Sequence, residues 1–387
     1  MSGDPTPVLW VCGPPGVGKT TVAWEVYAGL AAAGVEVGYV DIDQLGMCYP
    51  EPAGDPGRSR LAAANLGAVV AGYRAAGARA AVVSGVVDPA REAHADPIPG
   101  IALTTCRLRA SADDLARRLV ARQGHRDTVA QALAEAEALD ANDIGDVCVE
   151  TSGLPVDQVV RLVRERTAGW IAKTAPAPDG GAAPPRTSAG AAGGPILWLC
   201  GATGVGKSAA GFDLYLRHVL GRQIPGAFVD LDQIGFYGSR VDHEMRAGIL
   251  AAMWRTFRAA GARCLTMVGP AEDAAAITVY ARALPAATLT VCRLHAGRDE
   301  LTRRVMLRGR GGAWAQPGDP LRGRPAERLS AAADQAAAEA EILERAAVGG
   351  VRVDTDRRTV AEVADAIVAE TGWPNAAGGD THRPPSH

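Results

Sequence analysis

At 387 residues the chain exceeds one ordinary domain, and length alone predicts two or three. A hydrophobic share of 48% against 21% charged residues excludes a disordered chain. A formal net charge of −3 without a basic block argues against a nucleic-acid partner. Seven cysteines without a C-x-x-C pair, several inside apolar runs (Cys12, Cys106, Cys200, Cys292), read as buried reduced thiols and not as a disulfide framework or zinc site. Met1-Ser2-Gly3-Asp4-Pro5 lacks the basic and apolar regions of a signal peptide, and no apolar run approaches the length of a membrane span. A soluble cytoplasmic protein with no membrane partner is the expectation.

Taken in chain order, the apolar run Val8-Leu9-Trp10-Val11-Cys12 reads as a buried parallel strand. It leads into Gly13-Pro14-Pro15-Gly16-Val17-Gly18-Lys19-Thr20, which spells G-x-x-x-x-G-K-[ST]. Glycines in that pattern let successive backbone N–H groups turn inward around phosphate oxygens. The Lys reaches the β/γ-phosphates, and the Thr20 hydroxyl helps hold Mg²⁺. A helix predicted over 21–33 opens at Thr21 and aims its positive end at the same anion. A strand at 35–41, a Pro- and Gly-rich loop at 49–57, a helix at 60–76 and a strand at 79–84 follow. Beyond a Pro-broken segment come a strand at 101–108, helices at 112–123 and 128–140, a strand at 147–151 and a closing helix from Val156. Alternating β and α with apolar strands predicts an α/β parallel sheet with helices on both faces. Ligands of such sheets sit at the carboxyl ends of the strands.

The stretch 174–195 is dense in Ala, Pro and Gly and reads as a flexible linker. The pattern then returns. Ile196-Leu197-Trp198-Leu199-Cys200 leads into Gly201-Ala202-Thr203-Gly204-Val205-Gly206-Lys207-Ser208, and a helix over 209–220 opens at Ala209. Val229-Asp230-Leu231-Asp232 matches Val40-Asp41-Ile42-Asp43, Phe257-Arg258 matches Tyr73-Arg74, and Cys292-Arg293-Leu294 matches Cys106-Arg107-Leu108. Lys207 follows Lys19 by 188 residues and Cys292 follows Cys106 by 186, so the landmarks keep order and spacing. A whole domain is therefore repeated in tandem, with domains expected at 1–173 and 196–374 and a disordered tail at 375–387. The second copy differs by a Gly-, Arg- and Pro-rich insertion at 309–325.

Asp41 and Asp43 close the second strand on one side of it, and Asp230 and Asp232 repeat them. A carboxylate there can take a proton from an acceptor hydroxyl or hold Mg²⁺ through water. An Asx turn or a helix cap would use the same residue types. Asp43 is the preferred base because it lies one step further into the loop. Arg118 and Arg122 share one helix face, as do Arg304 and Arg308, with Arg126 and Arg310 just beyond. Such arginines can fold over phosphates and stabilise charge developing in phosphoryl transfer; a solvated helix face is the alternative. Ser84-Gly85 ends the third strand, followed by Asp88, and Gly269 with Glu272 takes that place in the second copy. Arg58, Arg60 and Asn65 stand where an acceptor could be met, although Glu244 and Ile249 replace Arg60 and Asn65 in the second copy. Trp10 and Trp198 read as core, and the seven histidines form no metal or triad pattern.

The ordered set resembles the small-molecule branch of the P-loop kinases, the group of adenylylsulfate, gluconate and shikimate kinases and chloramphenicol phosphotransferase. The resemblance rests on G-P-P-G-V-G-K-T, the strand-end D-I-D-Q, the L-x-x-R-L-x-x-R helix from Leu115 to Arg122, and Val149-Glu150-Thr151 followed by Val156. It implies, for each half, a five-stranded parallel sheet of order 2-3-1-4-5, ATP with Mg²⁺, an arginine lid and a carboxylate acting on the acceptor. It also implies that Thr151 and Thr355 lie near the adenine. The acceptor is a small molecule whose identity the sequence leaves open, as it leaves the oligomeric state. Two other readings stay open: a regulatory or scaffolding ATPase, and one catalytic half joined to a nucleotide-binding pseudo-kinase half. No N-K-x-D or L-S-G-G-Q motif is present, which argues against GTPase and transporter readings.

Overall fold

The computed structural model describes residues 4–87, 98–123, 127–142, 144–171, 192–238, 241–311 and 319–374. Asp88, Arg126, the linker up to residue 191 and the tail 375–387 lie outside the described residues, as does the side chain of Arg122.

In chain order the elements of the first half are β1 (Thr6–Cys12), α1 (Lys19–Ala32), β2 (Val37–Asp41), β3 (Cys48–Tyr49), α2 (Ser59–Ala75), β4 (Ala80–Ser84), β5 (Ile101–Arg109), α3 (Ala112–Gln123), α4 (Asp127–Ala141), β6 (Val147–Glu150) and α5 (Val156–Arg166). The second half gives β7 (Gly194–Cys200), α6 (Lys207–Leu214), β8 (Gly226–Asp230), α7 (His243–Ala259), β9 (Cys264–Val268), α8 (Ala274–Ala283), β10 (Ala287–His295), α9 (Arg298–Gly309), α10 (Ala326–Arg345), β11 (Val351–Asp354) and α11 (Val360–Thr371). Both post-loop helices open on the loop lysine, two residues earlier than the apolar pattern indicates. Gly18 and Gly206 cap them at φ 101° for both, a left-handed turn open to glycine. The predicted helix over 209–220 is α in its first part and a wider π turn over Tyr215–Leu220 in its second.

The chain forms two compact units. The first comprises Met1–Met47, Glu51–Ser188 and Asp232–Thr256; the second comprises Cys48–Pro50, Ala189–Leu231 and Phe257–His387. The units are therefore not two consecutive blocks of sequence. Residues 232–256, which the repeat assigns to the second half, belong to the first unit, and Cys48–Pro50 belong to the second.

In the first unit the sheet runs β2-β4-β1-β5-β6, every neighbour parallel. β1, β2 and β4 are buried at every position, as unbroken apolar runs in a sheet covered on both faces should be. Leu9, Val11, Val26, Leu108, Leu115 and Val163 lie in its core. Phe236 enters the same unit from the 232–256 segment: its carbonyl accepts from Tyr39 N at 2.9 Å, and its ring packs against Trp24 and Tyr39 at centroid distances of 5.1 and 5.7 Å.

In the second unit the sheet runs β11-β10-β7-β9-β8-β3. Five strands are parallel, and β3 closes the edge antiparallel to β8, with Cys48 opposite Ala227. A two-residue strand carries no periodicity to read, so β3 falls at the edge of the Pro/Gly loop without a sequence signal. Trp198 is fully buried beside Tyr280, as its place in an apolar strand predicts. Among the described residues, no helix is long and apolar enough to cross a membrane.

Candidate active site

Both loops sit at the carboxyl end of the central strand of their sheet. Gly13, Gly16 and Gly18 have φ of 143°, 82° and 101°, and Gly201, Gly204 and Gly206 have 141°, 80° and 101°. Two different sequences, G-P-P-G-V-G-K-T and G-A-T-G-V-G-K-S, thus adopt one backbone shape. At the first position a side chain is barred outright: a Cβ on Gly13 would lie 2.5 Å from the Leu108 carbonyl oxygen, and one on Gly201 would lie 2.4 Å from that of Leu294.

In the first unit the loop lysine folds back on its own loop, Lys19 Nζ donating to the Pro14 carbonyl at 3.1 Å. Burial pulls its ammonium below the ordinary lysine range, while Asp43, Glu135 and Asp41 pull it back up. The Thr20 hydroxyl donates to Asp41 Oδ2 at 3.1 Å, and the Ser84 hydroxyl donates to the same oxygen at 2.7 Å. Because Ser84 spends its proton on Asp41, Tyr39 is left to donate across the 2.8 Å Tyr39–Ser84 contact. Asp41 Oδ1 accepts from Asp43 N at 3.0 Å and so caps a short turn over Ile42–Gln44. The capping alternative is thus met by Oδ1 of Asp41, while Oδ2 takes the two hydroxyls.

Asp43 stands apart from that network. Asp43 is exposed to water on one side, and protein crowds its carboxyl on the others. Crowding is the main cause that raises its acid to about 6; the like charge of Asp41 adds to it, and Lys19 and the Val86 N–H oppose it. The close neighbour is Gly85, where a Cβ would come within 3.2 Å of Asp43 Oδ1. A carboxyl that titrates near neutrality beside a loop lysine can hold or release a proton under mild conditions.

In the second unit Lys207 Nζ donates to the Gly201 and Ala202 carbonyls at 2.8 and 3.1 Å. The Ser208 hydroxyl donates to Asp230 Oδ2 at 2.8 Å, repeating the Thr20–Asp41 contact. Opposite Asp230 in the sheet stands Val268, where Ser84 faces Asp41. Asp232 falls in the first unit, where its Oδ1 accepts from Arg246 Nη1 at 3.0 Å.

The arginines act differently from the lid that the spacing suggests. Arg118 donates to the Val17 carbonyl at 3.2 Å, to Thr151 Oγ1 at 3.0 Å and to the Thr151 carbonyl at 2.8 Å. Arg304 repeats this on Val205 at 2.6 Å, Thr355 Oγ1 at 2.9 Å and the Thr355 carbonyl at 2.8 Å. Each guanidinium ties a phosphate loop to the segment after the last sheet strand. Thr151 and Thr355 are buried in that tie. Arg308 is paired with the buried carboxylate of Asp319 at 2.6 Å. Asn65 is fully buried and donates to the Leu45 carbonyl at 2.7 Å, which removes it from the acceptor side. Arg58 lies 3.4 Å from Glu51.

Two acidic pairs escaped the sequence reading. Arg107 and Arg293, both buried in equivalent strands, bond Asp140 on α4 and Glu344 on α10, each at 2.5 Å. Five residues before them lie Glu135 and Glu339. Glu135 stands in the field of Lys19, and Glu339 Oε2 accepts from the loop N–H of Thr203 at 2.9 Å. Thr355 follows Thr151 by 204 residues, and the same spacing carries Glu135 to Glu339; that was the available signal.

The residues suit a phosphate ligand and a hard cation. The glycines present backbone at close range, and a hydroxyl bonded to a strand-end carboxylate offers only oxygen donors, the set that Mg²⁺ prefers. No cluster of three His, Cys, Asp or Glu side chains occurs among the described residues.

No protein-family model matches the sequence, and no curated protein matches it. Similar solved structures include a tunicamycin resistance protein of Deinococcus radiodurans, with 21% identity, 42% of this chain and 96% of that one covered, and a TM-score of 0.33. A gluconokinase from Sinorhizobium meliloti shows 22% identity, 44% and 98% coverage, and a TM-score of 0.31. A shikimate kinase from Bacteroides thetaiotaomicron shows 17% identity, 41% and 96% coverage, and a TM-score of 0.29.

Proposed function

We propose that this chain is an ATP-dependent phosphotransferase that moves the γ-phosphate to a small-molecule acceptor, with a nucleotide site in each of two tandem P-loop kinase-like domains, 1–173 and 196–374. The observation that carries the reading is the repetition of one constellation: a G-x-x-x-x-G-K-[ST] loop of fixed backbone shape whose Thr20 or Ser208 hydroxyl bonds the strand-end Asp41 or Asp230. The loop N–H groups and Lys19 or Lys207 would hold the phosphates. Thr20 with Asp41, and Ser208 with Asp230, would hold Mg²⁺, which when bound neutralises charge on the phosphates. Asp43 would take the acceptor hydroxyl's proton, being a solvent-accessible carboxyl whose acid is raised to about 6. Arg118 and Arg304 would keep each loop in shape, and in the first half the charge-stabilising lid role would rest on Arg122.

A second reading, one catalytic half with a pseudo-kinase partner, is favoured by one observation. Asp232, the counterpart of Asp43, is bonded by Arg246, whose own counterpart in the first half is Ala62. The test is a metabolite screen with Mg·ATP, following ADP and a phosphorylated product by mass. Acceptor-dependent ADP release with a matching product is expected; ADP release with no dependence on acceptor and no product would replace the kinase with an ATPase. With the acceptor in hand, Asp43→Asn and Asp232→Asn decide between the two readings: equal losses mean two catalytic halves.

A further inference from the structure

The tie between Glu339 and Thr203 has no part in the chemistry above, yet it occupies the loop itself. Thr203 is the third residue of the second phosphate loop and is exposed, and its N–H donates to Glu339 Oε2 at 2.9 Å. A carboxylate is an anion with two acceptor oxygens, the same chemical demand that a phosphate oxygen makes on such a loop. Its carrier is firmly seated. α10 buries Ala333, Ala336, Ala337, Ala340 and Leu343, Glu344 is held by Arg293, and Asp334 pairs with Arg298 at 3.0 Å. In the first unit Glu135 holds the equivalent place on α4, with Asp140 held by Arg107. Burial raises its acid above the ordinary glutamate range, and Lys19 opposes the shift. The first loop carries Pro15, which has no N–H, where the second carries Thr203, so the hydrogen-bonded tie belongs to the second loop.

We propose that Glu339 is an internal counter-anion of the second phosphate loop, held on the loop when no polyphosphate is bound and displaced by one. Binding is then an exchange of anions, and the glutamate sets nucleotide affinity without touching the reacting atoms. The idea rests on the nucleotide reading for its ligand but not for its geometry, so two probes are used: ATP and inorganic tripolyphosphate. Binding is measured by calorimetry for the full chain carrying Lys19→Ala, which silences the first loop, with and without Glu339→Gln or Glu339→Ala. The glutamine can still accept from Thr203 N without the charge, whereas alanine removes both.

Replacing a charge-assisted contact by a neutral one should tighten tripolyphosphate and ATP by about tenfold in Glu339→Gln, and by at least as much in Glu339→Ala. Melting curves confirm that both variants are folded. Unchanged or weaker binding of both probes overturns the proposal, because the glutamate would then be a plain brace or a helper of the ligand. Tighter tripolyphosphate without any ATP binding keeps the exchange and removes the nucleotide reading. If neither probe binds the parent or the variants, both fall.

Discussion

At Asp43 the raised carboxyl and the proposed base role make predictions for stability and for turnover that have opposite signs. Its acid is raised to about 6 in the folded chain from an ordinary 3.8. The native state therefore binds more protons than the unfolded chain between those values, and stability falls as pH rises through the window. Asp43→Asn removes that cost: its melting temperature should exceed the parent's at pH 8 and match it near pH 3. Turnover should move the other way, rising in the parent from pH 5 to 7 with a midpoint near 6 and nearly absent in Asp43→Asn. A parent profile that is flat over this range would remove Asp43 as the base. Gly13 is the sharper steric case. Gly13→Ala would drive a methyl into the Leu108 carbonyl, at 2.5 Å, and should cost about 1–3 kcal/mol of stability together with nucleotide binding at that loop; calorimetric melting and an ATP titration check the two losses separately.

Among the elements, the arginine on α3 or α9 is the piece whose role changed most between sequence and structure. Spacing along a helix reports which face a side chain shares, not what that face meets. The partners of Arg118 lie on a loop and a strand end far away in the chain. If Arg118 is a brace, Arg118→Ala strands the Val17 and Thr151 carbonyls and should destabilise the first unit by about 1–3 kcal/mol. Arg118→Lys should recover little, because one ammonium cannot reach three acceptors set around a planar fork. A lid arginine would do the reverse, leaving melting unchanged and cutting turnover alone, so denaturant unfolding of the two variants separates the roles. What was legible follows the same logic. Buried strands announce themselves as apolar runs, and the phosphate loop is a local backbone requirement written in glycine, so both could be placed to within a residue or two. β3 was not legible, since a two-residue strand has no period, and Glu339 showed only in its spacing from Glu135, because a glutamate on a helix gives no sign of the loop it faces.

Residues 232–256 and Cys48–Pro50 belong to units on the other side of the boundary that a tandem repeat predicts. Tandem duplication predicts that each half closes its own core. In the first unit, however, groups from 232–256 complete the edge beyond β2. The Phe236 carbonyl accepts from Tyr39 N at 2.9 Å, and the Ile234 carbonyl accepts from the buried Tyr73 hydroxyl at 3.1 Å. The Phe236 ring packs at 5.1 Å from Trp24, and Tyr237 donates to Glu36 at 3.0 Å. Residues 1–173 alone would lose the partner of the Tyr39 amide and expose to water the faces of Trp24 and Tyr39 that the Phe236 ring covers. Several losses of about 1–3 kcal/mol each, against a total stability of about 5–15 kcal/mol, are enough to unfold a domain. A chain ending at residue 173 should therefore melt far below the full-length protein or lack a cooperative transition, even though it holds a complete phosphate loop and all five strands of its sheet. Phe236→Ala in the full chain should produce a smaller drop of the same kind, without touching either loop. Circular dichroism melts of the three proteins check this: a fragment 1–173 as stable as the whole would mean that the exchanged segment contributes nothing, and that each repeat is a self-sufficient domain after all.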